Sequence, residues 1–269
     1  MYADFNIKDV DKTDDYAAVY KDYDTKGPEN GHSGDTTTFD DKKSGNAVSS
    51  ESSSEASSPK DTNKPLDGKI ICIDPGHQEK GNSEQEPVGP NASETKDKVS
   101  SGCELDSGVA EYIVTMQIGN LTKKALEEKG ATVLMTRESN AVNISNKERA
   151  EIANKGKANA VVRIHVDGAS DGGMSFYTIS PSNPYQKTYN ECNSLAKAIE
   201  AALVKSTGAK SKGIIAKDDY SGNNWCEVPC VIAEVGDAHN KTDSENLIKT
   251  KYQTKIAEGI CNGIINFCK

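Results

Sequence analysis

The chain has 269 residues with 41 Asp or Glu against 32 Lys or Arg, a formal net charge of -9, and no run of about eighteen apolar residues of the kind a membrane-spanning helix needs. The length admits one large domain or two small ones, and the acidic content of Gln78–Gly108 argues against a nucleic-acid partner, whose phosphates call for a basic face. Residues 1–68 hold fifteen of the acidic and eight of the basic side chains, so the remaining 201, with 26 acidic and 24 basic, carry only about -2.

Residues 1–66 pass through GHSGDTTTFDDKKSGNAVSSESSSEASSPKDTNKP, a mixture with too little apolar surface to offset chain entropy. They read as an acidic, Ser-rich, disordered leader or linker, and residues 67–269 as one folded domain. The chain opens MYADFNIKDVD, with neither the basic nor the apolar region of a signal peptide. Either the protein is cytosolic or an export or anchor segment is absent from this chain, and a spacer of this composition ahead of a compact domain favours the second, an extracellular or surface-held protein.

From Lys69 onward, apolar runs alternate with helical patterns. Strands are expected at Lys69–Asp74, Ala131–Thr136, Ala160–Val166, Met174–Ser180 and Cys230–Val235, several of them continuous, as strands buried on both faces are. One helix is marked by Val114, Ile118, Leu121 and Ala125 before Gly130, a second by Leu195, Ile199 and Leu203 before Gly208, and a third by Ile256, Ile260, Ile264 and Phe267. Between the first strand and the first helix, Gln78–Gly108 reads as a long loop, expected to form a wall or lid of a cleft. The alternation predicts a single α/β domain with a twisted, mostly parallel β-sheet flanked by helices on both faces. Ligands in such sheets bind beyond the carboxyl ends of the strands.

IICIDPGH places His77 at such an end, and ANAVVRIHVDG places His165 at another. His32 lies in the leader, and His239 in DAHNKTDSEN, which reads as a surface loop. Glu111 falls in the first turn of the first helix, where the dipole favours negative charge. Glu234 ends the apolar run CVIAEV, and a carboxylate there is costly unless paired or beside a cation. His, Glu and His with one open position make a catalytic zinc set, with Glu234 available as base. Taken singly, each has a plainer reading: a structural strand-end imidazole, or a helix-start carboxylate. The seven cysteines form no CxxC unit; most are expected as buried free thiols, with Cys226 and Cys230 near enough in sequence to bridge.

Four motifs in order carry a resemblance: IDPGH, a helix-start Glu in AEYIVTMQIGNLTKKALEEKGATVLMTRE, ERAEIANKGKANAVVRIHVDG, and VIAEVG followed by an Ile-rich terminal helix. Together they resemble the zinc-dependent N-acetylmuramoyl-L-alanine amidases of the Amidase_3 family, from about Leu66 to the C-terminus. The resemblance implies one Zn²⁺ per chain held by His77, Glu111 and His165, with Glu234 as the catalytic carboxylate. It also implies the substrate, the amide joining the lactyl group of N-acetylmuramic acid to L-alanine in peptidoglycan. The chain departs from the family's frequent wording at His77-Gln78-Glu79-Lys80-Gly81, Arg163-Ile164-His165-Val166-Asp167 and Val235-Gly236-Asp237, each a change at the rim.

Arg163, Asp167 and Trp225 are the candidate substrate-binding residues. Arg137, Arg149 and Arg163 suit stem-peptide carboxylates and, equally, structural ion pairs; Trp225 suits stacking on a sugar or support of the core. The expected partner is peptidoglycan and the expected state a monomer. Two other readings stand beside this one: a non-catalytic or regulatory wall-binding module on the same fold, and a zinc amidase acting on small peptides.

Overall fold

The computed structural model describes residues 64–269; the expectations for the leader, His32 included, lie outside them. Strand β1 (Ile70–Pro75) forms where the apolar run Ile70–Ile73 leads into Asp74 and Pro75, and Pro has no N–H with which to extend the ladder. Leu66, assigned above to the end of the leader, is fully buried in the core.

The segment expected as a loop folds instead into an antiparallel hairpin, β2 (Asn82–Pro87) and β3 (Thr95–Val99). NSEQEP and TKDKV are polar on both faces, so they lack the alternation that marks a half-buried strand. Helix α1 (Glu111–Glu128) follows, then β4 (Thr132–Met135). Helix α2 (Asn146–Lys155) is a further addition. It buries Arg149, Ala150 and Ala153 rather than large apolar residues, and its start carries a capping box between Ser145 and Glu148.

The chain continues through β5 (Ala160–Asp167), β6 (Met174–Thr178), α3 (Tyr189–Thr207) and the edge strand β7 (Ser211–Ala216). Short helix α4 (Ser221–Asn224), β8 (Cys230–Asp237), α5 (Lys241–Leu247) and α6 (Thr250–Phe267) complete it. The six-stranded sheet has the order β4-β1-β5-β8-β6-β7 and is parallel throughout except where β6 meets β8. This is the expected α/β architecture.

Helices α1, α3 and α6 cover one face. Ile256, Ile260 and Ile264 recur every four residues along α6 and are fully buried in one cluster with Leu195, Ile199 and Leu203 of α3. Full burial of such a side chain stabilises by roughly 1.5–3 kcal/mol. A Cβ at Gly259 or Gly263 would come within 2.9 Å of Leu203 or 2.8 Å of Ile199, so the two glycines let α3 and α6 approach. The other face packs Cys72, Val161 and Cys230 against Ala150 and Ala153 of α2. All seven cysteines are free and five of them buried, so Cys226 and Cys230 are not bridged. Among the described residues, no helix is long and apolar enough to cross a membrane.

Candidate metal centre

The site forms at the carboxyl ends of β1, β5 and β8, three adjacent strands in the middle of the sheet. Their register pairs Pro75 with Ile164 and His165 with Glu234. Paired residues of neighbouring strands send their side chains to the same face. His77 lies two residues beyond β1 with φ 60°, a left-handed backbone uncommon outside glycine. Its ring meets that of His165 edge-on, centroids 4.7 Å apart. At Gly76, between strand and ligand, a Cβ would fall 2.5 Å from the His165 ring.

His77 Nε2 lies 3.0 Å from His165 Nδ1 and 3.1 Å from Glu111 Oε1, which is 3.2 Å from His165 Nδ1. These edges are close to the roughly 3.3 Å between donor atoms placed tetrahedrally about an ion at 2.0–2.1 Å. The outer contacts agree with a ligand role. His77 Nδ1 lies 3.0 Å from both the carbonyl and the hydroxyl of Ser100; since a carbonyl only accepts, Nδ1 donates to it, which leaves Nε2 with its lone pair free. The three residues are the group among those described whose ligand atoms converge as a metal would require, and their borderline N and O donors suit zinc.

Burial brings the His165 imidazole down to about 4, so it is neutral and able to ligate at ordinary pH. Burial alone would raise the Glu111 carboxyl, but hydrogen bonds and charge from His165 and His77 outweigh it, and the carboxyl is held well below its usual range. Glu234 behaves oppositely. Burial, then repulsion from Glu111 and Asp167, pushes its carboxyl well above the ordinary value. Its Oε2 is shut off from solvent with no hydrogen-bond partner, an arrangement that is costly unless something else meets the oxygen.

A cavity of about 730 Å³ contains His77, Glu111, His165 and Glu234 in its lining, together with Arg163 and Asp167. The hairpin supplies one wall through Gln85, Lys96 and Asp97. Asp167 stands 3.7 Å from Lys212. Arg163 is buried, with Nε donating to Asp74 at 2.7 Å and Nη2 to Asn146 at 2.9 Å, so its geometry is that of an ion-pair partner. Arg137 and Arg149 are likewise buried and turned to the protein interior. Trp225 is not in the cavity lining. Its Nε1 donates to the Pro87 carbonyl at 2.8 Å and Lys147 Nζ lies 4.3 Å from the ring centroid, so the indole anchors the hairpin. His239 pairs with Asp106 at 2.9 Å, away from the cluster.

Three supporting residues escape sequence reasoning. Ser100 orients His77; the Cys103 N–H donates to Glu111 Oε2 at 3.0 Å, with its thiol 3.4 Å from the same oxygen; and Gly102, at φ 79°, has no room for a Cβ, which would lie 2.6 Å from Glu111 Oε2. All lie in the aperiodic stretch before α1. The Gly before Cys103 is the one available signal.

The family model described as N-acetylmuramoyl-L-alanine amidase, Amidase_3, matches residues 71–266. An N-acetylmuramoyl-L-alanine amidase of Mycobacterium tuberculosis is 27% identical over 210 residues, covering 74% of this chain and 86% of the relative. The germination-specific N-acetylmuramoyl-L-alanine amidase of Bacillus subtilis is 29% identical over 223 residues, covering 76% and 81%. Among solved structures, an N-acetylmuramyl-L-alanine amidase from Mycobacterium smegmatis superposes with a TM-score of 0.69 at 28% identity, covering 76% of this chain and 98% of that one.

Proposed function

The chain belongs to the Amidase_3 family of N-acetylmuramoyl-L-alanine amidases, and we propose that it is a zinc-dependent hydrolase cleaving the amide between the lactyl group of N-acetylmuramic acid and L-alanine in peptidoglycan. The observation that carries this reading is the donor triangle of His77, Glu111 and His165 in one cavity with the unpartnered Glu234.

His77 Nε2, Glu111 Oε1 and His165 Nδ1 would hold the ion. When bound, zinc supplies a Lewis acid for the scissile carbonyl and lowers the pKa of water toward neutrality. Glu234 takes a proton from the attacking water and delivers it to the alanine nitrogen as the C–N bond breaks, leaving a lactyl carboxylate and a free amino terminus. A carboxyl whose burial favours the protonated form is suited to holding that proton between the two transfers. Peptidoglycan lies outside the cell membrane, so this reading places the domain at the bacterial surface, secreted or wall-held, as an autolysin would be.

The test is zinc content of wild type and His165→Ala side by side, with release of L-alanine amino termini from purified peptidoglycan. About one zinc per chain, lost with activity in the variant, is the expected result. Absence of zinc from metal-replete wild type overturns the reading. Cleavage of soluble peptides but not of the polymer would favour a small-peptide amidase.

A further inference from the structure

The end of β1 and the turn that carries His77 present three successive carbonyls, of Pro75, Gly76 and His77. Two buried guanidiniums grip them. Arg149 donates through Nη1 to Pro75 O at 2.9 Å and through Nη2 to His77 O at 2.7 Å, while Nη1 also reaches Asp74 Oδ1 at 2.8 Å. Arg137 donates through Nε to Pro75 O at 2.9 Å and through Nη2 to Gly76 O at 3.1 Å.

The second guanidinium also reaches the other ligand's helix. Arg137 Nη2 lies 2.7 Å from Tyr112 O, the residue after Glu111, and 3.2 Å from Thr115 Oγ1, which itself donates to Gly76 O at 2.9 Å. One side chain therefore bridges the His77 turn and the first turn of α1, and the other ties the turn to β1. We propose that Arg137 and Arg149 are positioning residues that hold His77 in its left-handed backbone and set its ring against Glu111, so that the donor triangle is built before metal arrives. This rests on the zinc reading of the site. Geometry, rather than charge, is what the arrangement uses: a planar fork spans two carbonyls, and an ammonium does not.

The test uses Arg137→Lys and Arg149→Lys, with Trp225→Phe as a control. Trp225 Nε1 donates to the Pro87 carbonyl and is bonded to neither arginine nor any carbonyl of the turn, so its variant reports lost stability alone. Zinc affinity is measured by competition with a chromophoric chelator, and the visible spectrum is recorded with cobalt alone. Supporting groups around metal ligands typically change metal affinity by about 10- to 100-fold; a loss of that order, with an altered cobalt spectrum, is expected in each lysine variant. Trp225→Phe is expected to melt at lower temperature with unchanged zinc affinity. Folded lysine variants with wild-type affinity and spectrum overturn the proposal, as does an equal loss of affinity in Trp225→Phe. If one lysine variant fails to fold, the other decides. Wild type without zinc would fail the metal reading itself, a different result from normal zinc in all variants.

Discussion

His165 and Glu234 are register partners on adjacent parallel strands, so a single strand alignment sets the proposed ligand beside the proposed base. The ladder shifts just past this pair, between His165 and Asp167, and such bulges re-aim side chains near active sites. Because Glu234 is outside the donor triangle, Glu234→Gln is expected to retain about one zinc per chain and lose turnover by roughly 10²- to 10⁴-fold. Zinc analysis and kcat on peptidoglycan check this. Undiminished kcat would remove Glu234 from the mechanism.

The same residue makes the metal-free protein pH-sensitive. Burial, with Glu111 and Asp167, raises the Glu234 carboxyl above its ordinary value of 4.5. Above that pH the unfolded chain has released a proton that the folded chain keeps, so stability falls as pH rises toward the folded value. Below it, both states are protonated and the effect vanishes. In chelator, Glu234→Gln is expected to match wild type near pH 4 and to exceed it at pH 7, read from urea denaturation at both values. The same difference at both pH values would show that Glu234 is not the buried titrating group.

Beneath the site, Asp74 takes Arg149 Nη1 at 2.8 Å and Arg163 Nε at 2.7 Å, all three side chains being almost fully buried. Burial opposes its ionisation, but the two guanidiniums outweigh burial and hold the carboxyl well below its ordinary range. Removing one partner of a buried pair costs about 3–5 kcal/mol, so Asp74→Asn is expected to lose that much at pH 7. A depressed carboxyl contributes stability above its unfolded value of 3.8, and the contribution fades as pH falls below it. The gap between wild type and Asp74→Asn should narrow only in that acid range, which denaturation across pH measures.

Sequence showed the parts of the fold whose burial leaves a one-dimensional trace. β1, β4, β5, β6 and β8 read as apolar runs, and α1, α3 and α6 as apolar stripes. The hairpin of β2 and β3, the edge strand β7 and helix α2 left weak traces because their faces are polar or small. At the site, His77, Glu111, His165 and Glu234 stood out by residue type at strand or helix ends. Their supports did not: Ser100 and Cys103 act in part through a carbonyl and an N–H, groups that nearly every residue carries, and their hydroxyl and thiol contacts come from a stretch with no periodic pattern. Arg163 and Trp225 have side chains suited to ligands, and only the fold shows Nε and Nη2 of Arg163 and Nε1 of Trp225 already engaged.

Trp225 offers the sharpest separation of those two roles. Its Nε1 bond to Pro87 and its contact with Lys147 fasten β2 to the α2 side of the domain, and neither involves the cavity. Trp225→Phe keeps an aromatic face and removes the donor. A lost hydrogen bond of this kind costs about 1 kcal/mol, so thermal or urea unfolding should register a loss of that order. Uniform binding energy appears in KM, and a residue that anchors a wall without touching substrate should leave KM within roughly twofold of wild type. A raised KM with unchanged stability would instead put the indole on the substrate, because the hairpin would then be held without it.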